Sequence, residues 1–237
     1  MSLMGRRDLL YEMNIPLIPT KRMIDLSKKL KIQKPKMPSI LTPFDYNDRE
    51  DSDINMVLIS DCTISQEEVE KVRFEEVVFR NVTFIDGSFR FVQLTDVIFE
   101  RCDLSNVDFT DGIIHRVEFR DSKLLGLNLA DATLRNVLFE NCNLNMGSFG
   151  YADLKEMRFE NCSLRNADFY EAKFNKLEFT DCDLDDVNFT GTTLKGVDLS
   201  TCKFSHLNLS LDSVAGCIVS ADQAIGFARL LGLEIKD

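Results

Sequence analysis

The chain of 237 residues has no Trp, two His and five Pro, and all five prolines (Pro16, Pro19, Pro35, Pro38, Pro43) fall within the first 50 residues. No apolar run approaches the roughly 18 residues needed to span a membrane as a helix. Glu12 and Pro16 interrupt the one stretch that could have served as a signal peptide. His115 and His206 are 91 residues apart, both expected to face solvent, and no Gly-rich phosphate loop, nucleophile elbow or zinc spacing accompanies them. Carboxylate pairs such as Asp185 and Asp186 are expected on a convex surface, where burial would not tune them. These absences argue against an enzyme and imply neither cofactor nor metal. The 187 residues after position 50 hold no proline, a composition shift that marks a boundary near residue 50.

What that proline-free region holds is a repeat. From Phe74 to Leu209 every fifth residue is Phe, Leu or Ile, which makes 28 consecutive units in one phase. Two residues before each stands a mostly small or β-branched residue, such as Val82, Cys102, Ala132, Cys142 and Ala152. A period of 5 fits neither the 3.6 of a helix nor the 2.0 of a strand. It requires a path that turns a corner every five residues. A second period of 20 overlies it: Phe99-Glu-Arg-Cys102, Phe139-Glu-Asn-Cys142 and Phe159-Glu-Asn-Cys162 recur at multiples of 20. Four sides per turn give a solenoid in which each unit buries its apolar residue only by stacking on its neighbours. At about 4.8 Å per turn, seven turns make a rod of roughly 34 Å. The 18 Phe and absent Trp agree with one ring shape fitting a repeated slot.

Six of the seven cysteines (Cys62, Cys102, Cys142, Cys162, Cys182, Cys202) share one phase of the 20-residue period. A ladder at that spacing lies within disulfide reach, but it does not converge tetrahedrally as zinc requires. The simpler reading is a small buried hydrophobe in the slot that Ala and Val fill elsewhere, with reduced thiols in a cytoplasmic protein.

The units resemble the pentapeptide repeat, Ala-Asp/Asn-Leu/Phe followed by two variable residues. Ala152-Asp153-Leu154, Ala167-Asp168-Phe169, Cys102-Asp103-Leu104 and Val197-Asp198-Leu199 carry the likeness, over about 140 residues. That family's fold, an all-β solenoid in the form of a right-handed quadrilateral β-helix, is what the resemblance implies.

Three regions are expected. Residues 1–50 form a basic, proline-containing extension with ten Lys and Arg against six acids. Met1–Leu3 read as a vector-derived leader before Met4, short helices are plausible at Arg7–Met13 and Lys21–Leu30, and Lys31–Pro43 reads as a linker. The arm is expected to fold back along the rod or onto a partner. Residues 51–211 form the solenoid, starting near Asn55, with an irregular first turn around Glu67 and Val69. Residues 212–237 form the end. The phase fails after Leu209, Gly216 breaks the run, and Ser220-Ala-Asp-Gln223 fits a capping box for a helix from Ala221 to Leu231 that stops at Gly232. One apolar stripe of this helix is expected to cap the solenoid and the other to meet a second chain, with Ile225, Phe227, Ala228, Leu230 and Leu231 as interface candidates.

The tail sequence Gly216-Cys-Ile-Val219, Gln223-Ala224 and Leu231-Gly232-Leu233 resembles the end of the fluoroquinolone-resistance pentapeptide proteins. That resemblance implies a tail-to-tail homodimer whose rod imitates DNA and binds type II topoisomerases, DNA gyrase above all. Several of those proteins carry projecting loops, whereas the 28 units here contain no insertion.

Charge divides unevenly among the four sides. The first side (centred on Phe99, Phe119, Phe139) is net −4 and the second (Leu104, Leu144, Leu184) net −2. The third (Phe109, Phe149, Phe169) is net −4, and the fourth (Ile114, Leu134, Leu154) net +2. Three adjacent sides give about one charge per 3.4 Å of rod, half the density of duplex DNA. An acidic strip centred on Asp103, Asp108, Asp111, Asp181, Asp183, Asp185 and Asp186 could dock in a basic saddle, although solvated acidic faces are also common on soluble proteins. Nucleic acid itself is an unfavourable ligand for such a surface. The alternative role is a scaffold that displays the basic extension to an unrelated protein.

Overall fold

The structure is a computed structural model that describes residues 29–49, 51–65, 68, 70–230 and 233–234. The helices expected at Arg7–Met13 and over most of Lys21–Leu30, and the irregular unit at Glu67 and Val69, lie outside those residues. The chain winds as a right-handed quadrilateral β-helix of about eight turns with one helix at its C-terminal end.

The corners explain the period. Two residues after each central Phe or Leu the backbone enters the left-handed region, at Asp96 (φ 58°), Asn106 (φ 58°), Asp111 (φ 60°) and so on around each turn. Asn, Asp and Gly tolerate this conformation best, and they occupy most of these corners. Between corners, side chains alternate in and out, so the central residue and the small residue before it both point inward. Eight-residue strands at Arg73–Arg80, Gln93–Glu100, Ile113–Arg120, Thr133–Glu140, Asp153–Glu160 and Lys173–Thr180 wrap the fourth and first sides. They pair parallel and in register at 20-residue steps, as Phe99↔Phe119 and Phe119↔Phe139. The second and third sides are joined mostly by single bridges such as Asp103↔Lys123 and Asp108↔Asn128, with short paired strands only at Thr63–Ser65 with Thr83–Ile85 and Val187–Asn188 with Leu207–Asn208 among the described residues.

Inside, Phe79, Phe99, Phe119, Phe139, Phe159 and Phe179 form one stack with ring centroids 4.7–5.0 Å apart. The strand separation sets that spacing, and the rings are nearly parallel. Phe149 and Phe169 stack on the third side and meet this column edge-on. The expected cysteine slot is occupied as a small-residue slot. The Cys102, Cys142, Cys162 and Cys182 thiols donate to the carbonyls of Phe79, Phe119, Phe139 and Phe159 on the preceding turn. Burial pushes the Cys102 thiol up to about 11, and the adjacent Cys162 thiol, with burial, pushes Cys182 up to about 12. A thiol reacts as its thiolate. Iodoacetamide at pH 8 is therefore expected to modify no more than the half-buried Cys62 and Cys217 in the folded chain and all seven after unfolding, counted by intact mass. Rapid labelling of five or more without denaturant would contradict this packing.

The ends differ from expectation in two ways. The sheet begins before Asn55: Thr42–Pro43 pairs parallel with Val57–Ser60, so Lys31–Pro43 is no free linker. At the other end Gly216 does not break the run. With φ 81° it turns one more corner, Gly196 N–H donates to its carbonyl, and Ile218 N–H donates to Val197 carbonyl. The capping box forms as read. Ser220 N–H donates to Gln223 Oε1 (2.8 Å) and Gln223 N–H to Ser220 Oγ (3.3 Å). The helix runs Ala221–Leu230.

Candidate partner-binding faces

The carboxylates of the expected acidic strip have structural work of their own. Those just before a central residue accept the backbone N–H two residues on and so fix the following turn. Asp103 Oδ1 accepts from Ser105 N–H (3.0 Å), Asp108 Oδ1 from Thr110 N–H (3.0 Å) and Asp183 Oδ1 from Asp185 N–H (3.1 Å). Asp111, Asp181 and Asp186 stand at left-handed corners (φ 60°, 53° and 58°). Asp185 accepts from Ser205 N–H at 2.8 Å and His206 N–H at 3.3 Å, and these donors, Ser205 first, hold its carboxyl below the usual range.

Many of the same groups are also neutralised. Lys123 reaches Asp103 (3.0 Å), and Arg165 spans Asp183 (3.2 Å) and Asp185 (2.9 Å). Arg90 approaches Asp111 (3.4 Å), and the exposed His206 pairs with Asp186 (3.1 Å). His115 is half-buried rather than solvent-facing, and burial together with Arg116 lowers its pKa.

The first side is covered. Residues 29–44 run along the rod from its C-terminal towards its N-terminal turns as an extended strap. Lys29 Nζ bonds Glu160 (3.1 Å). Leu30 N–H donates to Glu178 (3.0 Å), Gln33 N–H to Asn136 Oδ1 (2.9 Å) and Lys36 N–H to Asp96 Oδ1 (2.8 Å). The basic arm thus offsets the negative first side. Burial alone would raise the Asp96 pKa, but hydrogen bonds from Arg116 and the Lys36 N–H outweigh it and hold the carboxyl below its ordinary value.

The third side is left as the open acidic face. Among the described residues, no Lys, Arg or His lies within salt-bridge distance of Asp108, Asp131, Asp168 or Glu171. Asp168 accepts only neutral donors, Tyr170 N–H (3.0 Å) and Asn188 Nδ2 (2.8 Å). Tyr151 and Met146 flank this face at corners with φ 58° and 60°, and they are 54% and 66% exposed. A bulky apolar side chain at such a corner is disfavoured twice, by backbone and by water. Tyr170 meets Tyr151 edge-on at 5.4 Å. The sequence reading passed over Asp131, Asp168, Glu171 and these aromatics. The signal available to it was the third side's single base against five acids, four of which remain once Arg90 takes Asp111.

Of the interface candidates on the helix, Phe227 faces the rod, with its ring 6.1 Å from Phe204. Ile225 is 41% exposed and Ala228 half-buried. The side chain of Leu230 and all of Leu231 lie outside the described residues. A cavity of about 730 Å³ lies between the strap and the first side. No cluster of three potential metal ligands, and no helix long and apolar enough to cross a membrane, occurs among the described residues.

The pentapeptide repeat region family matches residues 92–164 and 152–217. Over 209 residues the chain is 55% identical to the uncharacterized protein YisX of Bacillus subtilis (strain 168), covering 87% of this chain and 99% of that one. Among solved structures, full-length QnrB1, a plasmid-mediated fluoroquinolone resistance protein, aligns with 74% of this chain and 100% of its own at TM-score 0.40 and 18% identity. HetL, a pentapeptide repeat protein involved in heterocyst differentiation regulation from the cyanobacterium Nostoc sp. strain PCC 7120, aligns with 73% of this chain and 89% of its own at TM-score 0.43 and 15% identity.

Proposed function

This chain belongs to the pentapeptide repeat family, and from that premise we propose that it is a non-enzymatic binding rod whose acidic third side docks into a basic groove of a protein partner. The observation that supports the reading is the division of charge: the strap offsets the first side and bases pair with the second, while Asp108, Asp131, Asp168 and Glu171 stay without a basic partner among the described residues. Unpaired charge on a rigid surface steers association, and Tyr151 with Tyr170 adds the aromatic area that anchors such contacts. A type II topoisomerase, DNA gyrase in particular, is the partner we assign, since its DNA-binding saddle is a basic groove shaped for an anionic rod. We place the chain in the cytoplasm. A homodimer joined at the helical end, where Ile225, Leu211 and Leu233 are exposed, would double the rod's length.

A gyrase supercoiling assay with and without ciprofloxacin tests this. The expected result is inhibition or drug protection at micromolar chain, weakened at least tenfold, about 1.4 kcal/mol over the four sites together, in the quadruple variant D108N/D131N/D168N/E171Q. No effect of the native chain on either reaction would remove gyrase from the proposal. The alternative scaffold role has less support, because the described part of the basic extension is laid on the rod rather than displayed.

A further inference from the structure

The strap is held in an unusual way. Before it reaches the sheet at Thr42, three of its N–H groups, on Leu30, Gln33 and Lys36, each bond a side-chain acceptor of the rod, namely Glu178, Asn136 and Asp96. The rod's own ladder is complete beneath it: Thr133–Glu140 and Asp153–Glu160 pair with each other in full register. The strap therefore lies on a finished surface and contributes no strand there. Only at Thr42–Pro43 does it join the sheet.

Its register fits the rod's repeat. Asp96 and Asn136 occupy the same corner two turns apart, which is about 9.6 Å at the ordinary strand separation. Three residues of extended chain span about the same distance. An extended segment can thus present an N–H to Asp96 and another, three residues earlier, to Asn136, and a third, three residues earlier again, meets Glu178 two residues beyond the next equivalent corner at Lys176. Pro35 and Pro38 fall outside the donor phase, where a missing N–H costs nothing. One strap lysine adds an ion pair, Lys29 to the buried Glu160 at 3.1 Å, while the buried Asp96, Glu118 and Glu160 also pair with the rod's own Arg116, Arg120 and Arg158. Between these bonds a cavity of about 730 Å³ is lined by Lys29, Lys31 and Lys34 of the strap and by Glu118, Leu138 and Arg158 of the rod.

We propose that the groove running from Glu178 past Asn136 to Asp96 is a docking site for an extended segment of another protein with a basic residue at the position of Lys29, and that residues 29–44 occupy it in cis as a displaceable competitor. The site is separate from the acidic third side. Recognition comes from backbone donors at i, i+3 and i+6 and from a lysine just before the first donor, where Lys29 reaches Glu160, so the ligand needs an extended chain with a basic residue there more than a fixed sequence. Within residues 29–44, release stops at Thr42, where pairing with the sheet starts.

The test uses the full chain carrying L30P/Q33P/K36P, which removes all three donors and leaves the groove intact. A fluorescent synthetic peptide of residues 29–44 is titrated by anisotropy. It should bind this variant at least tenfold more tightly than the native chain, and adding D96L/N136L to the variant should abolish binding. Equal affinity for native and proline-substituted chains overturns the proposal. So does a dimer of the native chain that is lost in the variant, since the groove would then be filled by a second copy's strap. A second measurement needs no variant. Hydrogen exchange of the Leu30, Gln33 and Lys36 amides should be at least 100-fold less protected than that of residues 133–140, and equal protection would mean that the strap leaves only when the rod unfolds.

Discussion

Phe139→Ala should lower the melting temperature by roughly 6–20 °C, the largest change expected from any single truncation in this chain. Phe139 is fully buried, stacked between Phe119 (4.7 Å) and Phe159 (5.0 Å) and met edge-on by Phe149 (6.3 Å). Removing a ring so placed costs about 3–5 kcal/mol, as lost transfer energy plus the cavity left behind. For a chain of this size each kcal/mol moves the melting point by about 2–4 °C. The cavity cannot close easily, because the backbone around it is fixed by ladder bonds to the turns above and below. Phe139→Leu should cost much less, about 1 kcal/mol, since Leu fills the equivalent position on other sides. Differential scanning calorimetry of both variants checks this, and a fall below 2 °C for the alanine variant would mean that the column does not bear on stability.

That column was legible in the sequence because a solenoid writes its core into one phase. Each turn buries its central residue against the same position of its neighbours, so packing and sequence share a period, and 28 in-phase positions could be read without a structure. The capping box was legible for a similar reason, because Ser220 and Gln223 meet within three residues. The strap was not. It has no core of its own, and its bonds run from backbone N–H groups to residues such as Asn136, 103 positions away, so no local pattern marks them. Gly216 was misread because a glycine at a left-handed corner and a glycine ending a repeat look alike in one dimension. The acidic residues were visible but not their division of labour. Asp103 and Asp183 are Asp because a turn needs an acceptor there, and Asp111 and Asp186 because a corner favours a short polar side chain. A count of charges along the chain cannot separate these from Asp108 and Asp168, which fix their turns in the same way but have no basic partner among the described residues.

Ile225→Asp and Phe227→Asp should part in their effects, although the two residues are neighbours on one short helix. The helix closes an otherwise open end. Gln223 Nε2 donates to the carbonyls of Leu199 and Cys202, both at 2.9 Å, filling acceptors of the last turn that another turn would have satisfied. Phe227 then covers Phe204. An aspartate at 227 would set a charge against that ring and lift the cap, at about 2 kcal/mol from lost apolar burial alone, or roughly 4–8 °C of melting temperature. The exposed strand edge would also promote aggregation. Ile225 points away, 41% exposed, so an aspartate there should leave the melting temperature within about 1–2 °C, as surface substitutions do. If the helical end is the homodimer contact, the same Ile225 variant should halve the mass measured by light scattering, while Phe227→Asp acts first through stability. A chain that stays dimeric with Asp at 225 would rule this face out as the contact. A Phe227→Asp variant that melts like the native chain would show that the solenoid does not need its cap.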